Sequence, residues 1–176
     1  KVCTEAGAMA PWQRPAALAT DTATSVDVAL HALDWYETDK GAVDGILLLQ
    51  PTSPFRTKET VRKGIELFVK HGGQPVLGVS PTHDHPMWTF KMDGGCLVPF
   101  MQNHGLVTRS QDLPPAYVVN GCFYLISPAD LREYRSFVGA KTIPLLIESS
   151  QETIDIDTEW DWVIAEATLP LVNEYF

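Results

Sequence analysis

The sequence predicts a single α/β domain built on a mainly parallel sheet. Three observations carry that expectation. Between residues 25 and 80 two amphipathic stretches alternate with two short apolar runs, the order of helices and strands in βαβ crossover units. The run Gly45-Ile46-Leu47-Leu48-Leu49-Gln50 is continuously apolar and stopped by Pro51, which suits a strand covered on both faces. The 176 residues are 45% hydrophobic and 20% charged, ordinary for a chain that buries a real core.

The elements follow in order. Capping residues in Asp21-Thr22-Ala23-Thr24-Ser25 precede Val26, Leu30, Leu33 and Trp35 or Tyr36 at helical spacing, so a helix is expected from about Ser25 to Glu37. The strand ending at Gln50 leads into Pro51-Thr52-Ser53-Pro54-Phe55-Arg56-Thr57. A second amphipathic helix comes next, with Val61, Ile65 and Phe68 on one face and Gly72-Gly73 as its stop. Pro75 to Ser80 reads as a strand. Trp88 to Met92 and Cys96 to Phe100 flank Asp93-Gly94-Gly95 and read as a hairpin projecting from the main sheet. A strand from Tyr117 to Ile126, a short helix opened by Ser127-Pro128, a strand around Ile143 to Ile147 and a helix from Thr158 to Ala167 complete the domain.

Charge and cysteine content exclude several classes. A net charge of -9 argues against a nucleic-acid or anionic-membrane surface, which needs clustered Lys and Arg. No apolar stretch approaches the roughly 18 residues of a membrane span, and Lys1-Val2-Cys3-Thr4-Glu5 is no signal-peptide start. Cys3, Cys96 and Cys122 are odd in number and widely spaced, which fits a reducing, cytoplasmic setting without a disulfide framework. Lys1 rather than Met opens the chain, so a start within a longer protein is expected.

Four places could carry chemistry. In Asp155-Ile156-Asp157, alternate residues of an extended segment point the same way, so two carboxylates could share one hard cation such as magnesium. Solvated loop acids, with Asp157 or Thr158 capping the last helix, explain the spacing equally well. Gln50, Thr52, Ser53 and Arg56 stand at a strand's C-terminal end, where open α/β sheets place ligand groups, and neutral donors with one guanidinium suit a hydroxylated, anionic substrate. A Pro-rich turn satisfying its own backbone is the competing reading. Asn120-Gly121 inside a β-prone run marks a bulge, a close backbone approach to a ligand, or a kink. His83-Asp84-His85-Pro86 lacks a third metal ligand and reads as a structural loop.

Together, Arg14-Pro15-x-x-Leu18-Ala19-x-Asp21-Thr22-Ala23-x-Ser25, Gln50-Pro51-Thr52-Ser53-Pro54-x-Arg56-Thr57, His85-Pro86, Gln111-Asp112-Leu113-Pro114, Asn120-Gly121 and Ile154-Asp155-Ile156-Asp157-Thr158-Glu159 resemble the acylneuraminate cytidylyltransferase family, in its order, from about residue 5 to residue 168. The resemblance implies a three-layer, Rossmann-like nucleotidyltransferase fold and a homodimer, with a hairpin-containing insertion at about 83–116 reaching toward the partner's site. It implies that the anomeric hydroxyl of a nonulosonic acid attacks the α-phosphorus of CTP, releasing pyrophosphate. Asp155 and Asp157 would be the catalytic magnesium ligands. Arg14, Ala23 and Ser25 would face the nucleotide, and Gln50, Arg109 and Asn120 the sugar acid.

The chain also departs from the family pattern. Val118-Val119 precede Asn120 where an arginine is common, and Ser110 takes the place of another, with Arg109 one step earlier. Trp88 stands where sialic-acid enzymes often carry lysine, so legionaminate-like and other nonulosonic acids are open as substrates beside N-acetylneuraminate. The family's opening strand and phosphate-cradling loop would precede residue 1. The expectation is therefore one N-terminally incomplete nucleotidyltransferase domain over 1–176, weak or inactive by itself. A noncatalytic sugar-acid-binding or dimerisation module is the reading from another class, and transfer to the eight-carbon Kdo is a related enzymatic one.

Overall fold

The computed structural model describes residues 2–10, 13–101 and 108–172. After a four-residue helix α1 (Val2–Glu5), helix α2 (Ser25–Lys40) opens on Thr24, whose hydroxyl accepts the Asp27 N–H at 3.1 Å while Asp27 accepts the Thr24 hydroxyl. Strand β1 (Ile46–Leu48) and helix α3 (Lys58–Lys70, capped by Thr57) lead to β2 (Val76–Pro81). The hairpin β3 (Phe90–Asp93) and β4 (Cys96–Pro99) is a separate two-stranded sheet. Strand β5 (Tyr117–Ile126), helix α4 (Pro128–Tyr134), strand β6 (Ile143–Leu146) and helix α5 (Glu159–Val172) follow. The hairpin closes through Gly94 and Gly95, both at positive φ (54° and 83°), which a two-residue turn of this hand requires.

The main sheet runs β1-β5-β2-β6. Strands β2 and β6 are parallel, and β5 runs antiparallel to both its neighbours, so β1, β2 and β6 share one direction and β5 opposes them. The predominant strand direction is thus the expected one, within a mixed sheet. Alternate residues of β5 divide the core. Phe123 and Leu125 pack with Phe68 of α3, Val76 and Leu145 on one face. Tyr124 and Ile126 meet Ala29, Leu30 and Leu33 of α2, Leu131 of α4 and Phe137 on the other. The result is three layers: α3, the sheet, then α2 with α4. A third cluster docks α5 through Phe55, Ala165 and Val172 with Ile154 and Ile156.

Strand β1 is covered on both faces, Leu47 packing against the α3 side of the core and Ile46 and Leu48 against the α2 side, although among the described strands it lies at the sheet's edge. Two local readings change. In α3, Ile65 is 43% exposed and the buried positions are Thr60, Gly64 and Phe68. The helix turns a row at i, i+4 and i+8 inward because the Phe123 ring lies against Gly64, where a Cβ would come within 2.2 Å of it. Helix α5 runs five residues further than expected and passes through Pro170, whose missing N–H removes the helical bond to the Glu166 carbonyl.

Candidate active site

The site is built on an irregularity in β5. Leu77 pairs with Tyr124 and Val79 with Val119, so four residues of β5 face a single residue of β2 and the ladder is broken over 120–123. Asn120 fills the break from inside. Buried at 6% exposure, it donates from Nδ2 to Ser80 Oγ (3.0 Å) and accepts the Cys122 N–H on Oδ1 (3.2 Å). Gly121 adopts φ +74°, the left-handed conformation that glycine enters without cost. The bulge expected of Asn120-Gly121 is present.

Three polar side chains from distant parts of the chain converge on Gly121. A Cβ there would lie 2.7 Å from Gln50 Oε1 and 3.1 Å from both Asp155 Oδ2 and Ser53 Oγ. Ser53, 2% exposed, also donates weakly to Asp155 Oδ1 and the Asn120 carbonyl, each at 3.5 Å. Arg56 holds the base of this cluster, donating from Nε to the Cys122 carbonyl and from Nη2 to the Gln50 carbonyl (2.7 Å). Burial lowers its pKa, against the neighbouring Cys122 and Glu152, which raise it. The guanidinium expected to meet an anionic substrate is spent on two backbone carbonyls.

The segment bearing Asp155 is fastened to the Gln50 loop. The Ile156 N–H donates to the Thr52 carbonyl at 2.9 Å, and Glu152 Oε1 accepts both the N–H (3.0 Å) and hydroxyl (3.2 Å) of Thr57, at the start of α3. A carboxylate there also complements the helix dipole. Glu152 has no sequence signal: it lies 95 residues from Thr57 and in no recognisable motif. Asp155 also adds to burial in raising the Tyr124 pKa.

The remaining predicted residues separate into groups. Arg14, Ala23 and Ser25 line one cavity of about 280 Å³, walled by α2 and by Ile46, Leu47 and Leu48 of β1. Asp157 is exposed, and its N–H donates to Asp161 at 3.2 Å. Thr158 caps α5 in a reciprocal arrangement, accepting the Asp161 N–H while Asp161 accepts from its hydroxyl. Arg109 pairs with Asp112 (2.9 Å) on the surface. The Gln50 cluster does not include it. His85 accepts the Met87 N–H on Nδ1 (3.2 Å), and its Nε2 lies 2.9 Å from the Pro114 carbonyl, to which it can donate.

Neither Asp155 nor Asp157 forms an ion pair among the described residues. The Asp155 carboxylate, with Gln50 and Ser53 oxygens beside it, offers hard oxygen donors of the kind a divalent cation takes, and Asp157 lies two residues on. No group of three His, Cys, Asp or Glu gathers among the described residues, so substrate oxygens and water would complete the shell.

No protein-family model matches the chain. A Legionella pneumophila protein named CMP-N,N'-diacetyllegionaminic acid synthase is 35% identical over 98% of this chain and 74% of its own length. The chain belongs to the acylneuraminate cytidylyltransferase family. Two further members of this family of nucleotidyltransferases are a Streptococcus agalactiae N-acylneuraminate cytidylyltransferase, 29% identical over 93% of the chain and 38% of its own length, and a Campylobacter jejuni pseudaminic acid cytidylyltransferase, 26% identical over 99% and 75%. As a cytidylyltransferase the chain carries its most specific motifs, Gln50-Pro51-Thr52-Ser53 and Asp155-Ile156-Asp157, on the two segments that meet over Gly121. No helix among the described residues is long and apolar enough to cross a membrane.

Proposed function

We propose that this cytidylyltransferase transfers CMP from CTP to the anomeric hydroxyl of a nonulosonic acid and releases pyrophosphate. The observation that carries the reading is the convergence of Gln50, Ser53 and Asp155 on Gly121. Gln50 there offers an amide to sugar hydroxyls, and a backbone without a side chain lets substrate come close. The cavity lined by Arg14, Ala23 and Ser25 suits the nucleotide, with a guanidinium and a hydroxyl for polar edges and apolar walls for a flat base. Asn120 acts on the sugar acid through the bulge it fills, and Arg109 would face the sugar acid as the family resemblance implies.

Asp155 and Asp157 would hold magnesium, which when bound supplies positive charge against the triphosphate. Asp155 brings its carboxylate to Gly121, and Asp157 is exposed to solvent. Among sugar acids, a diacetamido, legionaminate-type substrate is favoured by the identity to the Legionella synthase and by Trp88. A homodimer fits the hairpin, whose Met92, Leu97 and neighbouring Phe100 are 65–70% exposed, and a cytoplasmic enzyme fits the free cysteines.

The test is metal-dependent turnover of the full-length protein carrying Asp155→Ala or Asp157→Ala, with manganese binding measured in parallel. Both variants should lose turnover and manganese affinity more severely than sugar binding. Near-normal activity and metal affinity would remove the two aspartates from the metal site.

A further inference from the structure

The sequence pointed Arg56 at the substrate, whereas the structure turns it to the backbone. Its two contacts join the Gln50 carbonyl just beyond β1 to the Cys122 carbonyl in the broken stretch of β5. The guanidinium is a rigid plane with donors in a fixed fork, so bonding both carbonyls at once fixes the distance and angle between them. The residue tied at one end carries the Gln50 amide; the residue tied at the other follows Gly121, over which that amide lies.

We propose that Arg56 is a positioning residue that sets the reach of the Gln50 side chain over Gly121 and thereby controls acceptance of the sugar acid. This rests on the reading that Gln50 faces the sugar acid. Lysine at this position could satisfy one carbonyl but not hold the fork, because its ammonium is a compact charge on a flexible stem. The other carbonyl would be left in a part-buried place without its donor, and the loop would lose its register against the bulge.

The experiment uses the full-length protein, a panel of nonulosonic acids and the variants Arg56→Lys, Gln50→Ala and their combination. Arg56→Lys is expected to raise the sugar-acid KM by roughly tenfold or more while the CTP KM stays within about threefold. Because Arg56 acts through Gln50, the double variant should be no worse than Gln50→Ala alone by more than about twofold. Additive losses, an equal rise in both KM values, or an unaffected sugar-acid KM would each overturn the proposal. Should Arg56→Lys not fold, Arg56→Ala with added guanidinium replaces it: recovery of the sugar-acid KM supports the assignment and no recovery refutes it. Amide exchange supplies a readout independent of turnover. Protection should fall in residues 50–56 and 120–122 and hold elsewhere, and unchanged or uniformly lowered protection counts against the clamp. Absence of wild-type turnover with every sugar acid would instead refute the functional reading, leaving exchange to decide the clamp.

Discussion

Gly121→Ala isolates what the bulge contributes. A methyl group at φ +74° puts an L-residue in the left-handed region, at a cost of about 1–2 kcal/mol. The new carbon would also stand 2.7 Å from Gln50 Oε1, inside the 3.4 Å at which ordinary contact begins, and 3.1 Å from Asp155 Oδ2 and Ser53 Oγ. Gln50 ends in a flexible side chain and can retreat, adding about 0.5–1.5 kcal/mol if it leaves its rotamer. The total is about 1.5–3.5 kcal/mol, which for a domain of this size is a fall in Tm of roughly 3–14 °C. Retreat of the amide should cost more in function than in stability, since misplacement by about 1 Å can cost about 100-fold. Differential scanning calorimetry and steady-state kinetics with varied sugar acid on the full-length protein measure both. A Tm within about 1 °C of wild type together with kcat/KM within about twofold would refute the close-approach account of the site.

Other consequences follow from the core. Gly64→Ala should destabilise although alanine is the better helix former by about 1 kcal/mol, because overpacking against Phe123 costs about 1–3 kcal/mol; a raised urea midpoint would contradict the packing described. Cys122 is buried and its thiol is pushed up to about 11, first by burial, whereas Cys3 and Cys96 are exposed. Iodoacetamide at pH 8 should therefore label two cysteines in the native protein and three in denaturant, read by intact mass. The folded pKa lies above the unfolded one, so the unfolded thiol ionises first. Stability should be insensitive to this group below pH 9 and decline as pH rises from about 9 toward 11, and Cys122→Ser should flatten that limb.

The elements themselves were legible because each signal is local. Thr24 and Thr57 cap helices, Gly94-Gly95 makes the hairpin turn, and Asn120-Gly121 marks the bulge, each within a few residues of its effect. The position of β1 was not, since a continuous apolar run reports hydrophobicity and not how many strands flank it. Ile65 was misplaced because helical periodicity allows two adjacent faces, and the choice was made by Phe123 entering the space over Gly64. At the site, Gln50 and Asp155 were visible as residue types in motifs, but their meeting over Gly121 depends on a bulge about seventy residues from one and thirty-odd from the other. Arg56 looked like a substrate cation because nothing in the sequence shows that a broken ladder leaves a carbonyl needing a donor. Asp157 and Thr158 divide the two readings of that segment: Thr158 caps α5, and Asp157 is left exposed.

Pyrophosphate release with CTP, magnesium and a panel of nonulosonic acids, run on the full-length protein, tests the central claim most directly. The account predicts release, greatest with a diacetamido, legionaminate-type acid. Silence with every sugar acid would contradict it and return the chain to a noncatalytic sugar-acid-binding role.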